Sequence, residues 1–177
     1  MGESGSKSKT RAADFSAFAL SARQLSEQIE AMRRNRVLHG KVVSLDEFRQ
    51  LRQHREPATV LVVDDDRALR EELARALEAQ GFQAVTVDGA EQFRSAIAAH
   101  PVDLILLDAD LPWLDGLEFC AVLKGQRALR DIPVILTGGE VSKNDARKGF
   151  EAGCDEYLTK PLDMERLVRT LRYMLQR

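Results

Sequence analysis

The chain has 177 residues, 26 Lys/Arg against 28 Asp/Glu for a formal net charge of −2, and 44% hydrophobic residues. That length is enough for one domain with a real core plus an appendage. No apolar run reaches membrane-spanning length, and the N-terminus lacks the apolar core of a secretion signal. The near-neutral total conceals an asymmetry: residues 1–56 hold 11 basic against 7 acidic side chains, and residues 57–177 hold 15 against 21.

Residues 1–10 read as a flexible Gly/Ser/Lys tail. Residues 11–56 read as a helical extension or linker. Within it Phe15, Phe18, Ala22, Leu25, Ile29 and Met32 recur at three-four spacing on one helical stripe. About two and a half heptads are too few to hold a coiled coil alone, so the seam is expected to pack on the following domain, on a second copy or in another protein's groove. A second helix is predicted to start at Ser44, where Ser44-Leu45-Asp46-Glu47 has capping-box spacing, and to end at Pro57.

From residue 57 to 177 the pattern changes to five strand–helix pairs. Strand 59–63 precedes helix 67–80, and strand 83–87 precedes helix 90–99. Strand 103–107 precedes helix 116–127, strand 133–137 precedes helix 142–152, and strand 155–158 precedes helix 163–176. The strands are continuous β-branched and Leu runs, as expected of a buried parallel sheet. Asp66 and Ser142 suit helix N-caps, and Gly81 and Gly153 suit left-handed C-terminal caps. Pro101 and Pro133 mark the entries to strands three and four, and Asp115-Gly116 a tight start to the third helix. Trp113 reads as a loop packing residue. Cys120 and Cys154 lack a metal-ligand spacing and read as small, reduced apolar residues, which places the protein in the cytoplasm.

In an open parallel sheet, ligands bind beyond the carboxyl ends of the strands. Four predicted strands end there on chemistry-bearing residues: Asp64-Asp65, Asp108, Thr137 and Lys160. Carboxylates placed together repel one another unless a cation compensates them, so this set is costly without a metal ion or Lys160.

VLVVDDD at 60–66, DLILLDADLPWLDG at 103–116, PVILTGG at 133–139 and GCDEYLTKPLD at 153–163 occur in an order and spacing that resembles the receiver domain of bacterial two-component response regulators. The resemblance implies an α/β, flavodoxin-like, doubly wound five-stranded parallel sheet of order 2-1-3-4-5. It also implies that Asp108 is the phosphoacceptor. Asp65 would be a direct metal ligand and Asp64 one acting largely through water, with Asp108 and the Asp110 main-chain carbonyl completing the protein's share. Thr137 would donate its hydroxyl to the phosphoryl group, Lys160 would pair with Asp108 and the incoming phosphate, and Tyr157 would be the switch aromatic that turns inward when Thr137 moves. The implied cation is Mg2+, with Mn2+ as the alternative, because a few carboxylates at a pocket mouth suit a hard cation that keeps several waters.

The functional expectation is a phosphorylation-dependent signalling switch. It is not an enzyme beyond its own Mg-dependent phosphorylation and dephosphorylation. The phosphoryl donor would be a sensor histidine kinase or a histidine phosphotransfer protein. Output would pass through helix 142–152, strand 155–158 and helix 163–176 to a protein partner, or through a homodimer formed by that face or by the N-terminal helix. Arg147, Lys148, Asp155, Glu156, Arg166 and Arg172 supply charges for such a dimer. Asp110 places an extra carboxylate where hydrolytic water would approach, either to orient that water or to repel the phosphoryl group; Gly138 meets the need for close approach, Gly139 leaves the site less shielded, and a moderately short-lived phosphoryl state is expected. With Arg177 directly after the last helix, output is expected from the extension, from a partner or from a part not included. The alternatives are a phosphate sink or relay without conformational output, and a DNA-binding regulator using residues 11–56, whose helix connection is longer than a helix-turn-helix allows. A haloacid-type phosphatase shares the Asp108-Ala109-Asp110 spacing but not the order of the remaining motifs.

Overall fold

The computed structural model describes residues 57–127, 129–139 and 143–175. The expected helices of residues 11–56 and the Ser142 cap lie outside the described residues. The rest alternates strand and helix as expected: β1 (Thr59–Val63), α1 (Arg67–Ala79), β2 (Gln83–Val87), α2 (Ala90–Ala99), β3 (Leu104–Asp108), α3 (Gly116–Gly125), β4 (Val134–Gly138), α4 (Lys143–Glu151), β5 (Glu156–Thr159) and α5 (Met164–Leu175). The five strands form one sheet of order β2-β1-β3-β4-β5, and every pairing is parallel.

The alternation of side chains along the strands builds two separate cores. Leu61, Val63, Ile105, Leu107 and Leu136 face one side, where they meet Phe93 and Ile97 of α2 and Phe119 and Leu123 of α3. Val60, Val62, Leu104, Leu106 and Ile135 face the other, against Leu73 and Leu77 of α1 and Leu167 and Leu171 of α5. Burying each such side chain stabilises by roughly 1.5–3 kcal/mol. Phe93 and Phe119 add an edge-to-face contact with centroids 4.9 Å apart. The central strands β1, β3 and β4 are buried throughout, whereas Gln83 and Thr86 of β2 are exposed, as suits an edge strand.

The punctuation residues act as expected. The Asp66 carboxylate accepts from the amides of Ala68 and Leu69, and the Asp115 carboxylate from those of Leu117 and Glu118. Gly81 and Gly153 have φ of 85° and 94°, conformations that only glycine adopts cheaply. Helices α1, α4 and α5 differ by a single residue at an end, and three strands are displaced: β3, β4 and β5 each start and end one residue later than predicted. The ladder explains the shift at their carboxyl ends, because Asp108 pairs with Thr137 and Gly138 with Thr159, which keeps these polar or small residues in strand geometry. Helix α3 ends at Gly125 rather than 127, with Gln126 as its cap. Among the described residues, no helix is long and apolar enough to cross a membrane.

Candidate functional site

Strand register assembles the site. Val63 of β1 pairs with Leu107 of β3, so Asp64 and Asp108 leave adjacent strands side by side, while Asp108 itself pairs with Thr137 of β4. The amide of Ala109 donates to the Thr137 carbonyl at 2.7 Å, and the amide of Lys160 donates to the Gly138 carbonyl at 2.7 Å, fixing the ends of β3, β4 and β5 together. Carboxylate oxygens of Asp64, Asp65 and Asp108 all lie within 4.8 Å of one another. Asp64 and Asp108 are only 2% and 3% exposed, and Thr137 is equally buried. Asp65 stands at the exposed rim.

One ammonium joins the two buried carboxylates. Lys160 Nζ is 2.7 Å from Asp64 Oδ2 and 2.9 Å from Asp108 Oδ2. The sequence reading paired Lys160 with Asp108; the structure adds Asp64, at the shorter distance. The second oxygen of each carboxylate is also engaged: Asp64 Oδ1 accepts from the Asp66 amide at 2.8 Å, and Asp108 Oδ1 from the Asp110 amide at 3.2 Å. Burial pushes the Asp108 carboxyl above the ordinary range; Lys160 and the Asp110 amide oppose this, and the negative charge of Asp64 reinforces it. For Lys160, burial works against the charged form, but its bonds to Asp64 and Asp108 outweigh that and raise its pKa.

Three carboxylates against one ammonium leave the pocket with unbalanced negative charge. The all-oxygen donor set, with one carboxylate open at the rim, fits a hard divalent cation such as Mg2+ or Mn2+ that retains part of its water. Asp65, exposed at the rim, suits a direct contact with such a cation.

Two glycines let backbone or ring approach closely. A Cβ at Gly116 would run into the Asp108 carbonyl and the Ala109 backbone, so glycine here seats α3 against the end of β3, a stricter need than the turn start read from the sequence. A Cβ at Gly138 would collide with the Tyr157 hydroxyl. Tyr157, read as an aromatic that turns inward on switching, therefore already lies against Gly138 and packs on the α2/α3 core. Trp113 packs on the same core, in agreement with its reading as a loop packing residue.

Sequence reasoning missed Arg70. Its Nη1 donates to the Asp64 carbonyl at 2.6 Å, and its Nη2 lies 3.2 Å from Asp88 Oδ2. The signal available was a basic residue in the first turn of a helix, where the dipole disfavours it. The charges named for a dimer have partners within the domain. Asp155 accepts from Lys124 and from the Val134 amide, Glu156 lies 3.9 Å from Arg166, and Arg172 donates to Gln80.

Comparison with known proteins bears on the same residues. The family profile described as "Response regulator receiver domain" matches residues 60–172. The phosphate regulon transcriptional regulatory protein PhoB of Pseudomonas aeruginosa is 36% identical over 119 residues, covering 67% of this chain and 52% of PhoB. The response regulator MprA of Mycolicibacterium vanbaalenii is 36% identical over 121 residues, covering 68% and 52%. This chain thus spans about half the length of these curated relatives. Among solved structures, the receiver domain of the Francisella response regulator 1452 superposes with a TM-score of 0.62 at 26% identity, covering 67% of this chain and 97% of that one. With strand order, acidic pocket and matched motifs in agreement, the chain belongs to the response regulator receiver domain family of two-component systems.

Proposed function

We propose that this chain is a phosphorylation-dependent switch that accepts a phosphoryl group on Asp108 from a histidine kinase or a histidine phosphotransfer protein. The observation that carries this reading is the setting of Asp108: a carboxylate buried at the sheet's carboxyl end, held by one ammonium and one amide beside two further carboxylates. Phosphoryl transfer asks the protein mainly to position reactants and neutralise charge. An Asp108 oxygen forms the new P–O bond as the P–N bond of a phosphohistidine breaks, its electron pair returning to the imidazole, which takes up a proton. Lys160 loses nothing in this exchange, since it can turn from the carboxylate to a phosphoryl oxygen as a mobile point charge. Buried Thr137, in register with Asp108, stands where its hydroxyl can donate to the same group.

Asp65, Asp108 and the Asp110 carbonyl would hold Mg2+ directly and Asp64 through water. When bound, the cation supplies charge neutralisation on the equatorial phosphoryl oxygens. The reaction is the protein's own modification and its reversal, with no free substrate turned over. Output runs through α4, β5 and α5, where Tyr157 meets Gly138. A phosphoryl group that draws Thr137 toward Asp108 changes what that ring packs against.

The test is intact-mass measurement after treatment with acetyl phosphate and Mg2+, with solution molecular weight measured in parallel. A single phosphoryl adduct on wild type and none on Asp108→Asn is expected. An adduct that persists in Asp108→Asn, or none on wild type, defeats the reading. An adduct with no change in assembly or partner affinity moves the function to a relay or phosphate sink.

A further inference from the structure

We propose that Arg70 is a positioning residue for the acidic pocket: its guanidinium, itself held by Asp88, locks the β1–α1 turn so that Asp64 and Asp65 are preset for a divalent cation. This rests on the reading above in taking Mg2+ as that cation.

The placement of Arg70 runs against local preference. It lies in the first turn of α1, whose N-terminal pole repels a cation. Arg67, in the same turn, is solvated and pairs with Glu71, so its position costs little. Arg70 is only 11% exposed, and a buried guanidinium is tolerated only when its donors are satisfied. Its partners explain where it sits. Nη1 donates to the Asp64 carbonyl at 2.6 Å, and Nη2 meets Asp88 Oδ2 at 3.2 Å, just beyond the end of β2. A residue that breaks a local rule in favour of such partners marks a position shaped by the site.

What the bond holds is a peptide plane. The Asp64 carbonyl belongs to the Asp64–Asp65 peptide, so fixing that oxygen fixes the direction in which Asp65 leaves the turn. The Asp64 amide is tied independently to the Val87 carbonyl at 3.3 Å, and its two carboxylate oxygens to the Asp66 amide and to Lys160. Asp64 is thereby held at its amide, its carbonyl and both carboxylate oxygens. Arg70 holds the peptide that precedes Asp65, and the bond from the Asp66 amide to Asp64 Oδ1 holds the one that follows it.

Position and charge predict opposite results, which makes the proposal testable. If Arg70 acts only as a nearby cation, removing it strengthens cation binding; if it positions the turn, removing it weakens binding. Mg2+ binding to the full chain is measured by calorimetry for wild type, Arg70→Gln, Arg70→Lys and Asp88→Asn. Arg70→Gln is expected to bind about tenfold more weakly, as when other supporting residues of metal sites are lost. Arg70→Lys keeps the charge without the fork, so it should fail to restore affinity. Asp88→Asn, at a half-exposed partner, should cost roughly two- to threefold. In the metal-free protein, hydrogen exchange of the Asp66 amide should quicken in both Arg70 variants.

Unchanged or tighter Mg2+ binding by Arg70→Gln, or full rescue by Arg70→Lys, overturns the proposal while leaving phosphoacceptance intact. If Arg70→Gln does not fold, Arg70→Lys and Asp88→Asn decide it by the same criteria. A wild type that takes up no Mg2+ overturns the reading beneath it, and unchanged Asp66 exchange in the variants then removes the positioning role as well.

Discussion

The hydroxyl of Tyr157 occupies the space into which a Cβ on Gly138 would project. The ring can lie inward because residue 138 has no side chain, and Gly149 of α4 bounds the same ring, since a Cβ there would come within 2.9 Å of it. Gly138→Ala should therefore force the Tyr157 ring outward. Overpacking of this kind costs about 1–3 kcal/mol when it cannot relax, and less if the ring escapes to solvent. With fluorotyrosine incorporated, the 19F resonance of Tyr157 is expected to move to a solvent-exposed position while that of Tyr173, already 61% exposed, stays put. A Tyr157 resonance unchanged by the methyl group would mean that the backbone of β4 yields instead.

Asp108 links pH to stability in the metal-free protein. Its pKa is raised on folding, chiefly by burial, so between the unfolded and folded values the folded state binds more protons. Stability contributed by the protonated form is thus present at low pH and falls as pH rises through that window. At neutral pH the ionised carboxylate is a net cost. Asp108→Asn removes it and leaves Lys160 its bond to Asp64. Thermal melts in EDTA at pH 7 should show the variant more stable by roughly 1 kcal/mol, a rise of about 4 °C. Mg2+ should stabilise wild type more than the variant, narrowing or reversing the order. A variant less stable than wild type in EDTA would show that the Lys160–Asp108 pair outweighs the burial of its charge.

The two thiols give a separate check on packing. Burial pushes Cys120 up to about 11 and, with the charge of Cys120 adding to it, Cys154 to about 12. Only the thiolate reacts, so at pH 8 both should resist an aromatic disulfide reagent in the folded protein and react at once in denaturant. Slow labelling that tracks opening of the α3 and α4–β5 region is expected. A fast stoichiometric burst from the native state would contradict their burial.

Much of this fold was legible because its signals are local. A run such as Val60–Val63 is buried on both faces and announces a central strand, and Asp66, Asp115, Gly81 and Gly153 carry their cap chemistry in their own side chains or in the lack of one. The site residues were legible by resemblance of four motifs, and the strand register explains why those motifs meet. What escaped were relations between distant residues. Lys160 and Asp64 are 96 residues apart, and no periodicity encodes their bond. Arg70 looks like the polar face of an amphipathic helix until Asp88 and the Asp64 carbonyl are placed beside it. The one-residue shift of β3, β4 and β5 depends on ladder partners, which a strand read alone does not reveal.

Lys160 is where the electrostatics of the pocket can be tested most directly. Its ammonium bonds to two carboxylates that are otherwise buried against each other. Removing one partner of a buried ion pair costs about 3–5 kcal/mol, because the remaining charge stays desolvated. Lys160 is itself a quarter exposed, which allows some water to reach the gap and puts the cost at the lower end. Lys160→Ala is therefore expected to lose about 3 kcal/mol in EDTA at pH 7. The loss should shrink as pH falls, because without the ammonium Asp108 is driven further toward its protonated form and one of the facing charges disappears. It should shrink again on adding Mg2+, since a cation among Asp64, Asp65 and Asp108 replaces the missing charge. Urea titrations at pH 5 and pH 7, each with EDTA or Mg2+, separate these effects. A Lys160→Ala loss that neither acid nor Mg2+ relieves would assign Lys160 a packing role through its aliphatic stem, and the facing carboxylates would then need another source of compensation.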